Sequence, residues 1–474
     1  MREMKNYLKM MLIPVGLAVL GGVLLYVWLG PLWPDAAGEL QVRVAIPGND
    51  PADLIDPNGA AKVEGTLETF DGVAADIPGA WPQFRGPNLD AIVSDESVAL
   101  AKTWPEEGPR VLWTLDLGPG YAGAAVLDGR VFVMDYDDKA IRDAIRCFSL
   151  ADGGEIWRYS YPVKVKRNHG MSRTVPAVTD KYVVTMGPKC HVTCLDPNTG
   201  EFRWMLDLVR EYGTKVPAWY AGQCPLIEEE EKVILGVGGD EVLMMAVDCN
   251  SGDTLWETPN ANEWLMTHSS VVPVDFNGQR MYVYCASGGV VGVSADDGRI
   301  LWEYPDWKIR IANVPTPVYV GDGKIFLSGG YNAGSMMLQL NGQGDAIEAD
   351  VLFRLTADVY GSEQQTPIFY GGHIYGVNPG DQLCCLDLEG NVLWTSTSAH
   401  KFGLGPYAIA DGRIYVLEDD GLLTMAEATP SGYRQIAEAK VLEGPESWGP
   451  MAFVAGRLIV RDMNKMVCLD ISEQ

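Results

Sequence analysis

Positive charge is scarce in this sequence. Only 36 Lys and Arg stand against 63 Asp and Glu among 474 residues, a formal net charge of −27. Without a basic surplus the chain cannot displace phosphate counterions, which excludes a general nucleic-acid binder. Cysteine is equally limiting: there are nine, an odd number, and no spacing among them signals a disulfide framework. No cysteine precedes Cys147, so an N-terminal acyl-cysteine anchor has no acceptor. Cys-x-x-Cys-His is absent, which excludes covalently attached c-type haem. The nearest approach to a metal or redox motif is Cys190-His191-Val192-Thr193-Cys194, whose three-residue gap on a strand suits neither zinc nor dithiol chemistry.

What is present points to a folded chain. Hydrophobic residues make up 47% and charged ones 21%, enough for a large core and too apolar for an acidic disordered tail. The 53 glycines favour many short strands and tight turns.

The acidity is uneven. Residues 1–34 carry Arg2, Lys5 and Lys9 against Glu3, whereas residues 35–80 carry nine acids against Arg43 and Lys62. Met10 to Gly30 is free of charge over 21 residues, long enough to cross a bilayer core of about 30 Å as a helix. Tyr26, Trp28 and Trp33 at its end suit a membrane interface. The expectation is therefore one uncleaved transmembrane helix within residues 1–34. A signal peptide cleaved near Ala36-Ala37-Gly38 is the competing reading. Lys5 and Lys9 before the span, and Asp35 and Glu39 after it, place the N-terminus in the cytoplasm and the remainder in the periplasm of an inner membrane. Residues 35–80, rich in Ala, Gly, Pro and Asp, read as an acidic flexible tether, with short alternating pieces such as Leu40 to Ile46 able to pair as edge strands.

Internal repetition governs the rest. Cys194-Leu195-Asp196-Pro197-Asn198-Thr199-Gly200-Glu201-Phe202-Arg203-Trp204 recurs as Cys147 to Trp157, Ala246 to Trp256 and Gly292 to Trp302. Cys385 to Trp394 is one residue shorter, and weaker copies place Phe353 and Ile436 at the Trp position. Positions 113, 157, 204, 256, 302, 353, 394 and 436 are 41 to 52 residues apart, the length of one four-stranded propeller blade. The small residue allows close packing beside a neighbouring blade, Asp caps the turn, Gly supplies positive φ, and Trp is buried between blades. Trp113 lacks the preceding half of the repeat and Cys468-Leu469-Asp470 lacks the following half. Together they complete one blade, so the fold class is an all-β, eight-bladed β-propeller over residues 81–474, closed by pairing of N- and C-terminal strands.

This spacing resembles the tryptophan-docking motif of the quinoprotein alcohol dehydrogenase-like superfamily. The chain is similar to the pyrroloquinoline-quinone (PQQ)-binding-like propeller repeat proteins, a grouping that includes the lipoprotein subunit of the outer-membrane assembly machinery. Trp81-Pro82-Gln83-Phe84-Arg85-Gly86-Pro87-Asn88 matches the entry motif of a membrane-anchored bacterial branch. The resemblance implies either a protein-binding assembly scaffold or a PQQ-dependent oxidoreductase of an alcohol or sugar. The dehydrogenases hold the quinone over a Trp and under a vicinal disulfide, with Ca²⁺ on Glu and Asn and an Asp base. Cys384-Cys385 is a vicinal pair, but Cys385 fills the small-residue slot of the repeat, so the two side chains point to opposite strand faces. Asp135, Asp137 and Asp138 form an acidic hairpin loop that can be part of a Ca²⁺ site or a solvated turn.

Ligands of propellers bind where the innermost strands begin around the central channel. The repeat puts Tyr121, Arg173, Tyr220, His268, Asn313, Gln364 and Trp448 there as candidate cofactor-binding residues. Aromatic faces with one cation and amide donors suit a planar anion such as the quinone, with Ca²⁺ beside it. The same side chains can equally plug the channel. No catalytic residue and no metal ligand is assigned, and protein partners on the propeller rim, not nucleic acid, are the expected partners.

Overall fold

The repeat acquires a physical meaning in the registers of the computed structural model, which describes residues 65–93, 97–166, 170–229 and 231–473. Eight antiparallel sheets follow one another along the chain. Blade 1 spans Ala124–Pro162, blade 2 Ala177–Asp207, blade 3 Leu226–Pro259 and blade 4 Val272–Tyr304. Blade 5 spans Val318–Leu355, blade 6 Ile368–Thr395 and blade 7 Tyr407–Lys440. Blade 8 combines Ala452–Asp470 with Arg110–Asp116, which supplies its outermost strand. Closure by N- and C-terminal strands thus follows the split repeat.

In blade after blade the small residue lies directly opposite the aromatic one: Cys147 by Trp157, Cys194 by Trp204, Ala246 by Trp256, Gly292 by Trp302, Cys385 by Trp394 and Cys468 by Trp113. The slot is small chiefly because an indole of the same blade lies across the strand pair, a closer cause than the neighbouring blade. Most of these indoles then reach the following blade, whereas Trp302 Nε1 donates to Met281 Sδ of its own blade. Trp113 Nε1 donates to Leu150 O at 3.0 Å, Trp157 Nε1 to Pro197 O at 3.2 Å, and Trp204 Nε1 to Cys249 O at 2.8 Å. The turn glycine of the next blade gives the ring room: a Cβ on Gly200 would come within 2.7 Å of Trp157, and one on Gly252 within 2.8 Å of Trp204. Both glycines also hold positive φ, so the turn requires glycine twice over.

The chain before blade 8 is more ordered than a tether. Thr66–Thr69 adds a strand to the outer edge of blade 1, and Ala80–Trp81 pairs with its innermost strand. Residues 65–80, expected as the end of the spacer, therefore lie against blade 1. The entry motif then crosses the foot of the channel. Val178 N of blade 2 donates to Pro82 O at 2.8 Å, Trp81 packs 5.8 Å from Phe453 of blade 8, and Ile92–Val93 pairs in parallel with Ile409 and Ala410 of blade 7. Leu89 packs against the core shared by blades 3 and 4. Arg85 fastens this plug through four carbonyls: Leu89 and Asp90 of its own turn, and Thr366 and Pro367 entering blade 6.

The described residues belong to a compact unit spanning Pro47–Gln474. The expected membrane span Met10–Gly30 lies outside them. Among the described residues no helix is long and apolar enough to cross a membrane.

Candidate channel site

The opposite mouth of the channel is built where the innermost strands begin. Tyr121 enters blade 1, Arg173 blade 2, Trp219 and Tyr220 blade 3, His268 blade 4, and Trp448 blade 8. Trp219 and Tyr220 hold positive φ, a strained backbone that turns adjacent rings toward different neighbours.

Three of the sequence candidates meet directly. Tyr121 stacks on Trp448 with ring centroids 5.1 Å apart, and the Arg173 guanidinium lies 4.9 Å from the Tyr121 centroid. The Tyr121 hydroxyl donates to Glu446 Oε2; burial and that partner push its pKa well above the usual phenol value. Trp448 Nε1 donates to Asp419 Oδ1 at 2.8 Å. Arg173 Nε donates to Trp219 O at 2.5 Å, and burial lowers its guanidinium pKa to about 10.

The remaining candidates form the wall. His268 sits with Nε2 2.7 Å from Ala218 O; burial, then the charge of Arg173, lowers its pKa to about 4. It is a neutral ring at physiological pH. The Tyr220 hydroxyl donates to Lys166 O, and Lys189 Nζ lies 5.8 Å from its ring centroid. His268 N donates to Asn313 O at 3.1 Å, and the Asn313 side chain is buried beside the Cys285 thiol of blade 4. Gln364 lines a cavity of about 250 Å³ toward blades 6 and 7, with Ser362, Gln365, Asn378, Asp381 and Asp419, the last of which joins it to Trp448.

Trp219, Tyr331, Glu446 and Asp419 belong to the mouth but escaped the sequence reading. Trp219 and Tyr331 stack at 6.4 Å from blades 3 and 5. Tyr331 and Glu446 hold positive φ in connecting loops, where no periodicity marks them. For Trp219 the signal was adjacency to Tyr220.

The alternative chemical sites take structural roles. Cys384 and Cys385 are both buried and free, within the strand Leu383–Leu386. Cys385 faces Trp394, while Cys384 packs with Phe326 and Tyr360 in the core of blades 5 and 6. Asp135 is ion-paired to Arg146 at 2.9 Å, and Asp137 Oδ1 accepts from Lys139 N and Ala140 N within its turn. Cys190 contacts Met266 Sδ at 3.7 Å, whereas Cys194 lies against Trp204. Among the described residues no three of His, Cys, Asp and Glu are grouped to hold a metal ion.

Eight blades, indoles docked between them and a side-chain-lined mouth define a PQQ-like propeller. A family model described as outer membrane protein assembly factor BamB matches residues 141–390, more than half of the chain. The chain belongs to that family. BamB from Moraxella catarrhalis is similar at TM-score 0.53 and 13% identity, over 76% of this chain and all of that one. A europium-containing methanol dehydrogenase aligns at TM-score 0.60 and 13% identity, over 81% of this chain and 89% of that one. The computationally designed Ika8 protein aligns at TM-score 0.53 and 12% identity, over 77% of this chain and all of that one. Likeness at these identities carries the fold alone. No curated protein sequence matches the chain.

Proposed function

We propose that this chain is a membrane-anchored, extracytoplasmic propeller that binds protein partners as an assembly scaffold. Residues 1–34 would be the cytoplasmic stub and inner-membrane span, the acidic stretch after it the spacer, and the propeller would stand in the periplasm. The observation that carries the reading is the match of residues 141–390 to the assembly-factor family. The test is cross-linking of the full chain in its native membrane followed by identification of captured proteins. A reproducible partner lost on deletion of blades 2 to 5 is the expected result; recovery of the chain alone would sink it.

A second reading, a PQQ-dependent oxidoreductase of an alcohol or sugar, draws on the aromatic and cationic mouth. Its cofactor set fits poorly here. The vicinal cysteines lie on opposite faces of a strand, and the described residues offer no grouped acid set for Ca²⁺. Adding PQQ and Ca²⁺ to the purified chain separates the readings: a bound chromophore with a raised melting temperature would favour the oxidoreductase.

A further inference from the structure

The face of the ring that carries the mouth is built from two sets of loops. One set leads into the innermost strands, and the other joins the second and third strands of each blade. Charge on this face is divided by sector. It is acidic over blades 6 to 8, with Glu363 and Asp381 at blade 6, Asp419 and Asp420 at blade 7, and Glu443 and Glu446 at blade 8. Lys401 and Lys440 of this sector are paired with Asp381 at 3.2 Å and with Asp420 at 2.9 Å, and Lys465 stands in the blade 8 hairpin.

Blades 1 and 2 are the reverse. Lys139 stands in the blade 1 hairpin, Lys164 and Lys166 in the connector to blade 2, and Lys189 in the blade 2 hairpin. Backbone and ring contacts make them one patch. Val163 N donates to Ile141 O at 3.2 Å, the Tyr220 hydroxyl donates to Lys166 O, and Lys189 Nζ lies 5.8 Å from the centroid of the same Tyr220. Lys139, Lys164 and Lys166 are exposed, and Lys189 is half-buried. The acids at the border are Asp137 and Asp138 in the blade 1 hairpin and Asp207 beside His191. Asp137 Oδ1 accepts from two amides of its own turn, and Asp207 Oδ1 accepts from Arg210 N. This basic patch belongs to a chain whose net charge is −27. The first strand of the fold lies at the same edge: Thr66 pairs with Ser160, and Arg142 Nη2 donates to Thr66 Oγ1 at 3.0 Å.

We infer that the edge formed by blades 1 and 2 rests on an anionic lipid surface, with Lys139, Lys164, Lys166 and Lys189 against the headgroups and the acidic sector tilted away. The inference rests on the membrane-anchored reading. That reading brings the chain from the bilayer to Thr66, which makes blades 1 and 2 the part of the propeller tethered nearest to lipid. Charge then sets the orientation. At physiological ionic strength a charge is felt over about 8 Å, so headgroups under the lysines do not sense the acids across the ring. Each lysine close to an anionic bilayer strengthens association by about fivefold, and an acidic sector brought equally close is repelled. Lysine suits a fluid surface, because an ammonium on a long flexible stem needs no fixed acceptor geometry.

The test uses the purified full chain reconstituted into vesicles of phosphatidylcholine, or of phosphatidylcholine mixed with phosphatidylglycerol. Flotation after a carbonate wash tests the anchor by itself. A chain that floats with neither vesicle refutes the anchored reading, and the lysines are then read with the same vesicles added from outside. An impermeant acetylating reagent followed by mass spectrometry gives the labelling rate of each lysine. The expected result is that phosphatidylglycerol slows labelling of Lys139, Lys164 and Lys166 by about threefold or more at low salt, an effect lost at high salt and absent at Lys401. Lys164→Glu combined with Lys166→Glu should return Lys139 to its rate on neutral vesicles. Equal rates on the two vesicles overturn the inference. So does slow labelling already present in detergent, which would mean that the acidic stretch before Gly65 covers the patch. Equal slowing at Lys401 and Lys164 overturns it as well, because the propeller would then have no preferred edge.

Discussion

Cys468 and Trp113 face each other in register across the outer strand pair of blade 8, one from each end of the propeller sequence. Trp113 also donates to Leu150 O of blade 1 and covers the turn glycine Gly153. One indole therefore joins the two chain ends and the first and last blades. Trp113→Ala should lower stability by about 3–5 kcal/mol, the range for removing a large buried aromatic. In blade 7 the register places Ala437, opposite Met425, at the equivalent position, one residue beyond the Ile436 that the repeat predicts; Ile436 is only partly buried, and Ile436→Ala should cost less. Urea unfolding of both variants checks the order; equal losses would mean that closure is not concentrated at Trp113.

Arg85 holds the plug in a turn where Arg85, Leu89 and Ala91 all adopt positive φ. That backbone persists because the guanidinium ties it to Thr366 and Pro367. Arg85→Met leaves four carbonyls without their donor and should destabilise by about 3 kcal/mol or more. Arg85→Lys should not rescue, because a compact ammonium cannot span acceptors arranged around a fork. Hydrogen exchange gives the local readout: amides of 82–93 should exchange faster while those of blade 4 stay protected. Uniform loss of protection would mean that the plug is not a separate element.

These two cases show what was legible. Trp113 could be placed from sequence because it occupies one slot of a repeat whose spacing and split ends are themselves the signal of closure. Arg85 sits in a motif of one copy, without strand or helix periodicity, and its partners Thr366 and Pro367 are distant in sequence. Tyr121, Arg173 and Trp448 were placed at the mouth by counting from the repeat. The partners of Arg173, the Tyr121 ring and Trp219 O, were not visible, since they depend on which groups the folded loops present. Gln364 obeys the same count and lines a cavity beside Trp448, because blades 6 and 7 leave space where the others fill the mouth with rings.

Asp143 is fully enclosed between blades 1 and 2, with the Tyr161 hydroxyl donating to its Oδ2 at 2.6 Å. Burial pushes its pKa to about 8. The unfolded carboxyl titrates near its ordinary value of about 4, so between those pH values the folded state holds a proton that the unfolded chain has released. Its contribution to stability is full below about pH 4 and is lost as pH rises through 8. Asp143→Asn should therefore gain on the wild type progressively from pH 5 to 9. Burial lowers the pKa of His191, beside Tyr161, which acts with the opposite sign on the acid side, but it is common to both proteins and cancels in the difference. Melting temperatures across pH check this; a difference that does not change with pH would place Asp143 outside the titration.

All nine cysteines are free and buried, and burial raises the thiol pKa to about 12 at Cys190 and about 11 at Cys224 and Cys385. The thiolate is the reactive species, so enclosure and raised pKa act together against oxidation. Were the chain exported, as proposed, exposed thiols would pair in the oxidising compartment it meets. The expected count with a thiol reagent is none on mixing with the native chain and nine in denaturant. A vicinal disulfide at Cys384 and Cys385 would reduce the denatured count to seven. It would also demand a sharp turn where the structure has a strand hydrogen-bonded on both sides. Seven would reopen the quinoprotein reading at its most specific point, whereas nine would leave those cysteines as core residues whose labelling rate reports only how often the blades open.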